Sequence, residues 1–143
     1  MSLDLSIIYK RSEEEILAEI REGRNSGQIV ESVEVDQSIF DENITHNLGT
    51  MAKEVKTGKE GTSLYDLLWH PYESGFPIVT DEYIELVDNG LDYLKKNRKM
   101  LEKYNPPNGW GSYSGLLDFT KNLVFSLKNI NPNKHEYIIN AWI

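Results

Sequence analysis

The sequence predicts an α+β fold in one domain spanning 1–143, with a small antiparallel or mixed sheet packed against about four to five helices. Three observations predict it. Leu3, Leu5, Ile7 and Tyr9 alternate with Asp4, Ser6, Ile8 and Lys10, the period of a half-buried strand. Tyr137, Ile139, Ala141 and Ile143 alternate in the same way with Ile138, Asn140 and Trp142. Between these two segments, apolar residues recur mainly at helical spacing. A strand near each end favours a sheet in which the C-terminal strand pairs with one of the first two, with the helices on one face.

The first strand begins at residue 3, which ties the N-terminal segment into the sheet. Ser12-Glu13-Glu14-Glu15 has capping-box spacing, and Ile16, Leu17 and Ile20 follow on one helical face before Gly23. Arg24-Asn25-Ser26-Gly27 reads as a turn. Residues 29–36 alternate again and form the second strand, which Ile39 and Phe40 can extend. Leu48, Met51, Ala52 and Val55 place a helix over about 45–56. Lys56-Thr57-Gly58-Lys59-Glu60-Gly61 breaks it. Ser63 caps a short helix over 64–69, which stops before His70-Pro71. Thr80, followed by Asp81 and Glu82, starts the longest helix, whose face of Ile84, Val87, Leu91, Leu94 and Leu101 runs to about 103. After the Asn105–Gly109 break, Ser112 or Ser114 starts a last helix with Leu116, Leu117, Thr120, Leu123, Val124 and Leu127 on its buried stripe.

Composition narrows the function. The chain has no Cys, so disulfides, thiolate metal sites and Cys nucleophiles are excluded. Its formal charge is −8, which disfavours sequence-independent binding to a nucleic-acid backbone. No apolar run approaches the roughly 18–20 residues that span a bilayer, and the N-terminal residues lack a basic signal-peptide region. A cytoplasmic protein is the expectation. His46, His70 and His135 are 24 and 65 residues apart, so no local metal-ligand spacing exists, and no cofactor is expected. Gly-x-Ser-x-Gly and phosphate-loop motifs are missing as well.

The densest chemistry lies in Asn43-Ile44-Thr45-His46-Asn47, read as a strand-to-helix junction where free backbone N–H groups favour a negative ligand. Asn43, Thr45, His46 and Asn47 are candidate ligand-binding residues. The alternative is that Asn43 and Thr45 only cap the helix and His46 satisfies a carbonyl. Trp69 and His70, beside Tyr65 and Tyr72, form a second candidate group. Trp110, Ser112 and Tyr113, beside Gly109 and Gly111, form a third. Flat rings flanked by glycine suit stacking on a base or sugar, and they equally suit a core corner. All three groups fall at helix boundaries. Lys95, Lys96, Arg98, Lys99 and Lys103 read as the solvated face of the long helix.

Ser2-Leu3-Asp4-Leu5, the run from Asn43 through Leu48 to Met51-Ala52, Leu64-Tyr65 through Leu68-Trp69, and Asn108-Gly109-Trp110-Gly111-Ser112-Tyr113 together resemble a family of small proteins encoded by bacteriophages and prophages. The similarity spans most of the chain and carries no catalytic residue with it. It implies a viral or prophage origin and a place in the host cytosol. Small phage proteins often act against host systems, and one strategy is to sequester a nucleotide signal of host immunity.

Three functions follow as expectations. The first is a non-catalytic protein that captures a small anionic, nucleotide-like ligand. The second is an acidic inhibitor of a host defence protein, since acidic surfaces steer toward basic sites. The third is a small hydrolase with His46 or His70 as general base. A terminal strand that extends a sheet across subunits leaves a homo-oligomer open.

Overall fold

A computed structural model of the chain describes residues 2–10 and 36–143. The helix expected between the Ser12 capping box and Gly23 and most of the strand expected over 29–36 lie outside these residues. Strand β1 (Ser2–Lys10) is the centre of a three-stranded antiparallel sheet, between β2 (Asp36–Thr45) and β3 (Tyr137–Trp142). The predicted α+β class holds. The second strand runs well past the predicted 29–36 limit, through Ile39, Phe40 and Asn43 to Thr45. Pairing with β1, from Ser2 opposite Thr45 to Lys10 opposite Asp36, holds this polar stretch extended. The register shifts between Ile7 and Ile8, where Phe40 and Ser38 are the partners and Ile39 is the extra residue.

Sheet alternation decides the two faces. Leu3, Leu5 and Ile7 are fully buried, with Ile44, Phe40 and Ile139 on the same side. Asp4, Asp41 and Asn43 are exposed on the other side. The segment Pro77–Val79 seals part of the outer edge of β3: Val79 N–H donates to Tyr137 O at 2.8 Å, and Ile139 N–H donates to Pro77 O at 3.1 Å. That limits the free edge on this side of the sheet.

Helix α1 (Gly49–Lys53) follows a 3-10 turn over His46–Leu48. It is shorter than the predicted helix over 45–56. Helix α2 (Leu64–Trp69) has a complete capping box between Ser63 and Asp66. Helix α3 (Asp81–Lys96) is capped by Thr80, whose side chain accepts from Tyr83 N–H at 3.1 Å. The predicted long helix breaks at Asn97 and resumes as α4 (Arg98–Glu102). Asn97 leaves helical geometry with φ −120° and ψ 33°, and its side-chain amide donates to Tyr93 O at 3.0 Å. A side-chain bond to the preceding turn competes with the helical ladder here. Helix α5 (Tyr113–Lys128) is capped by Ser112, one of the two predicted starts, and buries Leu116, Phe119, Leu123, Val124 and Leu127. The basic run is exposed at Lys95, Lys96, Arg98 and Lys99, with Lys96 paired to Asp92 and Arg98 to Glu102.

Tyr83 is the largest side chain at the centre of this core. It is fully buried, and its hydroxyl donates to Leu67 O at 3.0 Å, joining α3 to α2. Burial raises its phenol pKa well above the ordinary tyrosine value of about 10. The unfolded chain therefore releases this proton first. The contribution to stability is complete below about pH 10 and is lost as the pH rises from there toward the folded value. Urea unfolding between pH 8 and 11 should show falling stability at the alkaline end. Tyr83→Phe should lower stability at pH 8 by about 1 kcal/mol and flatten the alkaline fall.

Candidate functional site

The turn out of β2 is built by Thr45. Its backbone is still extended, and its Oγ1 accepts from Asn47 N–H at 3.3 Å. Thr45 is therefore the cap, as one of the sequence alternatives has it. Asn43 is not. Its backbone sits in the ladder opposite Asp4, and its side-chain amide donates to Asp4 Oδ1 at 2.7 Å and Ser2 Oγ at 2.8 Å. Strand pairing takes Asn43 out of reach of the helix start. Asn47 is exposed.

His46 turns toward α2. Trp69 Nε1–H donates to His46 Nδ1 at 2.7 Å, which leaves the proton of the neutral imidazole on Nε2. Among the described residues that Nε2 is buried and has no hydrogen-bond partner. Trp69 is itself buried, and its ring stacks on Tyr65 with centroids 5.2 Å apart and planes inclined by 19°. One helical turn separates these two residues, so their rings share a face of α2. The Tyr65 hydroxyl and His70 Nε2 are hydrogen-bonded at 3.1 Å. His70 Nδ1 lies 3.9 Å from Glu73 Oε2. At the other end of the row, Lys53 Nζ stands 4.6 Å from the Tyr65 ring centre. A Cβ at Gly49 would stand 3.2 Å from Tyr65 Cε2, so α1 approaches the ring closely.

The third group of predicted residues meets the same turn through Gly111, in the loop before α5. Gly111 has φ +100°, and a Cβ there would fall 2.7 Å from Thr45 Cγ2 and 3.0 Å from Leu48 Cγ. Trp110, next to it, is 70% exposed, with its N–H held by Asn108 Oδ1 at 2.9 Å. Ser112 caps α5 through Gly115 N–H. Tyr113 serves the core instead of offering a ring to a ligand. It is buried, its N–H donates to Asn105 Oδ1, and its hydroxyl donates to Leu94 O. Burial raises its phenol pKa, opposed by the Arg98 guanidinium 5.4 Å from the ring. The turn at 45–48 thus touches both Trp69 and Gly111, but through packed contacts.

The open concavity lies on the other end of the aromatic row. It has a volume of about 660 Å³, and its walls include Lys53, Lys56, Lys59, Glu60, Ser63, Tyr65 and Asp66. The loop from Lys56 to Ser63 shapes it. Thr57 is buried, its hydroxyl donates to Thr62 O at 2.7 Å, and its carbonyl accepts from the Asn89 side chain at 3.0 Å. Gly58 at φ +88° and Gly61 at φ +80° let the chain reverse between them. Lys59 pairs with Glu82 at 3.1 Å, and Asp66 is held in the capping box. Among the described residues Lys53 and Lys56 have no ion pair, and both are exposed. No group of His, Asp and Glu among the described residues is arranged to hold a metal.

Lys53, Lys56 and Lys59 are absent from the residues singled out by sequence, and Tyr65 enters there only as a neighbour in the second aromatic group. The signal available was three lysines at three-residue spacing running into a Gly58/Gly61 turn, which the sequence reading takes only as a helix break. Among the described residues no helix is long and apolar enough to cross a membrane. No family model, curated protein or solved structure matches the chain.

His46→Ala should cost about 1–3 kcal/mol in urea unfolding, because it leaves the buried Trp69 N–H without its acceptor. Gly111→Ala should cost about 1–3 kcal/mol by the same measurement, from its positive φ and the clash with Thr45.

Proposed function

We propose that this chain is a non-catalytic binding protein that captures a small anionic ligand in the concavity between the Lys56–Ser63 loop and Tyr65. The observation that carries this reading is the placement of Lys53, Lys56 and Lys59 around one open depression in a chain of net charge −8. Two of the three ammonium groups have no carboxylate partner among the described residues, so an incoming anion need not displace one. The volume falls within the range of roughly 300–1,000 Å³ usual for small-ligand sites. The wall is pre-formed, since Thr57, Asn89 and the Ser63 capping box fix the loop from within. The resemblance to bacteriophage proteins supports a setting in the host cytosol, where capture would withdraw a signal from host defence.

A second reading has its own support. Asp4, Asp41 and the 67% exposed Trp142 share the outer sheet face, a surface suited to a basic protein partner. The two readings separate by mutation and salt. Titration calorimetry with inorganic pyrophosphate should show binding that weakens about tenfold for Lys53→Ala and again for Lys56→Ala, about 1.4 kcal/mol each. Asp4→Asn/Asp41→Asn should leave it unchanged. Turnover of a phosphoanhydride by the purified protein, abolished by His46→Ala, would overturn the binding reading.

A further inference from the structure

We infer that Tyr65 is a stacking platform, and that the ligand class of the lysine-lined concavity is a flat ring carrying phosphate, with a nucleoside diphosphate as the representative probe. This rests on the anion-capture reading above and adds to it the part of the ligand that carries no charge.

The inference comes from how firmly one half-buried ring is held. Trp69 backs Tyr65 in a stacked arrangement, and Trp69 is itself fixed by its hydrogen bond to His46. The Tyr65 hydroxyl is held by His70, whose ring also meets Tyr65 edge-on at 5.3 Å. Gly49 closes in at the ring's Cε2 edge, where even a methyl group would be tight. The ring also lines the concavity. On that side its neighbour is the ammonium of Lys53, an exposed and flexible side chain.

An aromatic ring that only filled the core would need none of this fixing toward an open depression. A fixed ring with a displaceable cation over it loses little freedom when a base stacks on it. Lys53 then has somewhere to go: the ammonium that leaves the Tyr65 face can meet the phosphate of the same ligand, with Lys56 beside it. One movement exchanges a cation–π contact for a charge-assisted bond and opens the ring to stacking. The two parts of the ligand are thereby recognised by adjoining parts of one wall.

The test is calorimetry at fixed ionic strength with ADP, inorganic pyrophosphate and adenosine, on the unaltered chain and on Tyr65→Leu and Tyr65→Phe. ADP should bind at least tenfold more tightly than pyrophosphate. Tyr65→Leu should abolish the preference, so that ADP and pyrophosphate bind this variant equally, while Tyr65→Phe keeps the preference. A chain carrying Trp110→Phe and Trp142→Phe retains Trp69 as its single tryptophan, directly behind the platform. Its emission should change with ADP and not with pyrophosphate. Equal binding of ADP and pyrophosphate would overturn the platform and leave anion capture standing. Adenosine binding as tightly as ADP would overturn anion capture and leave the platform. Binding of none of the three would overturn both. Circular dichroism of Tyr65→Leu separates lost stacking from lost folding, and a folded variant that still binds pyrophosphate but no longer prefers ADP is the expected result.

Discussion

Strand β1 sits between β2 and β3 and gives Leu3, Leu5 and Ile7 to the core, each without solvent exposure. Antiparallel pairing on both sides fixes which residues of β2 face inward, because a slip of one residue would send Phe40 and Ile44 to solvent. The same pairing holds the chain extended as far as Thr45, so that the turn into His46 starts from a rigid end. Everything in the aromatic row is placed relative to that end. His46 reaches Trp69 only because Thr45 leaves the sheet where it does, and the loop at Gly111 packs against Thr45 and Leu48 of the same turn.

The row from His46 through Trp69 and Tyr65 to Lys53 links the sheet to the concavity. Its contacts are of different kinds: a hydrogen bond, a stacked pair and a cation over a ring. Trp69 stacks on the Tyr65 ring, Lys53 stands over it and His70 holds its hydroxyl, so the ring is contacted from several sides. Such fixing suits binding, because ordering already present in the free protein is not lost when a partner arrives. The Nε2 of His46, without a hydrogen-bond partner among the described residues, lies at the sheet end of the row. A buried N–H without an acceptor is a local cost, accepted here in return for the Trp69 bond.

Charge acts locally in this molecule. A net charge of −8 spread over the surface is screened over about 8 Å at physiological ionic strength. What an anion meets in the depression is set by the nearest groups. Asp66 is engaged by Ser63 and Lys59 by Glu82, while Lys53, Lys56 and the Glu60 carboxylate have no ion pair among the described residues. An acidic chain can therefore gather three lysines around one depression, two of them outside any ion pair among the described residues, and total charge is a poor guide to such a local arrangement.

Periodicity was enough to determine the class of fold, the strand at Ser2–Lys10, the closing strand and the caps at Ser63, Thr80 and Ser112, because alternation and capping are written in neighbouring residues. The limits of β2 were not legible. Its polar stretch from Asp41 to Thr45 is a strand only because β1 pairs with it, and a hydrogen-bond ladder between distant segments leaves no local pattern. Asn97 likewise breaks a helix whose apolar stripe continues, through a bond from its own side chain to Tyr93 O. The three aromatic and polar groups were visible as composition, but their surroundings were not: Tyr113 turned out to be core, Asn43 part of the sheet, and Tyr65 the ring beside the depression. Residue type is fixed by the chain itself, whereas exposure and partnership depend on which distant segments pack alongside, and only the tertiary structure decides that.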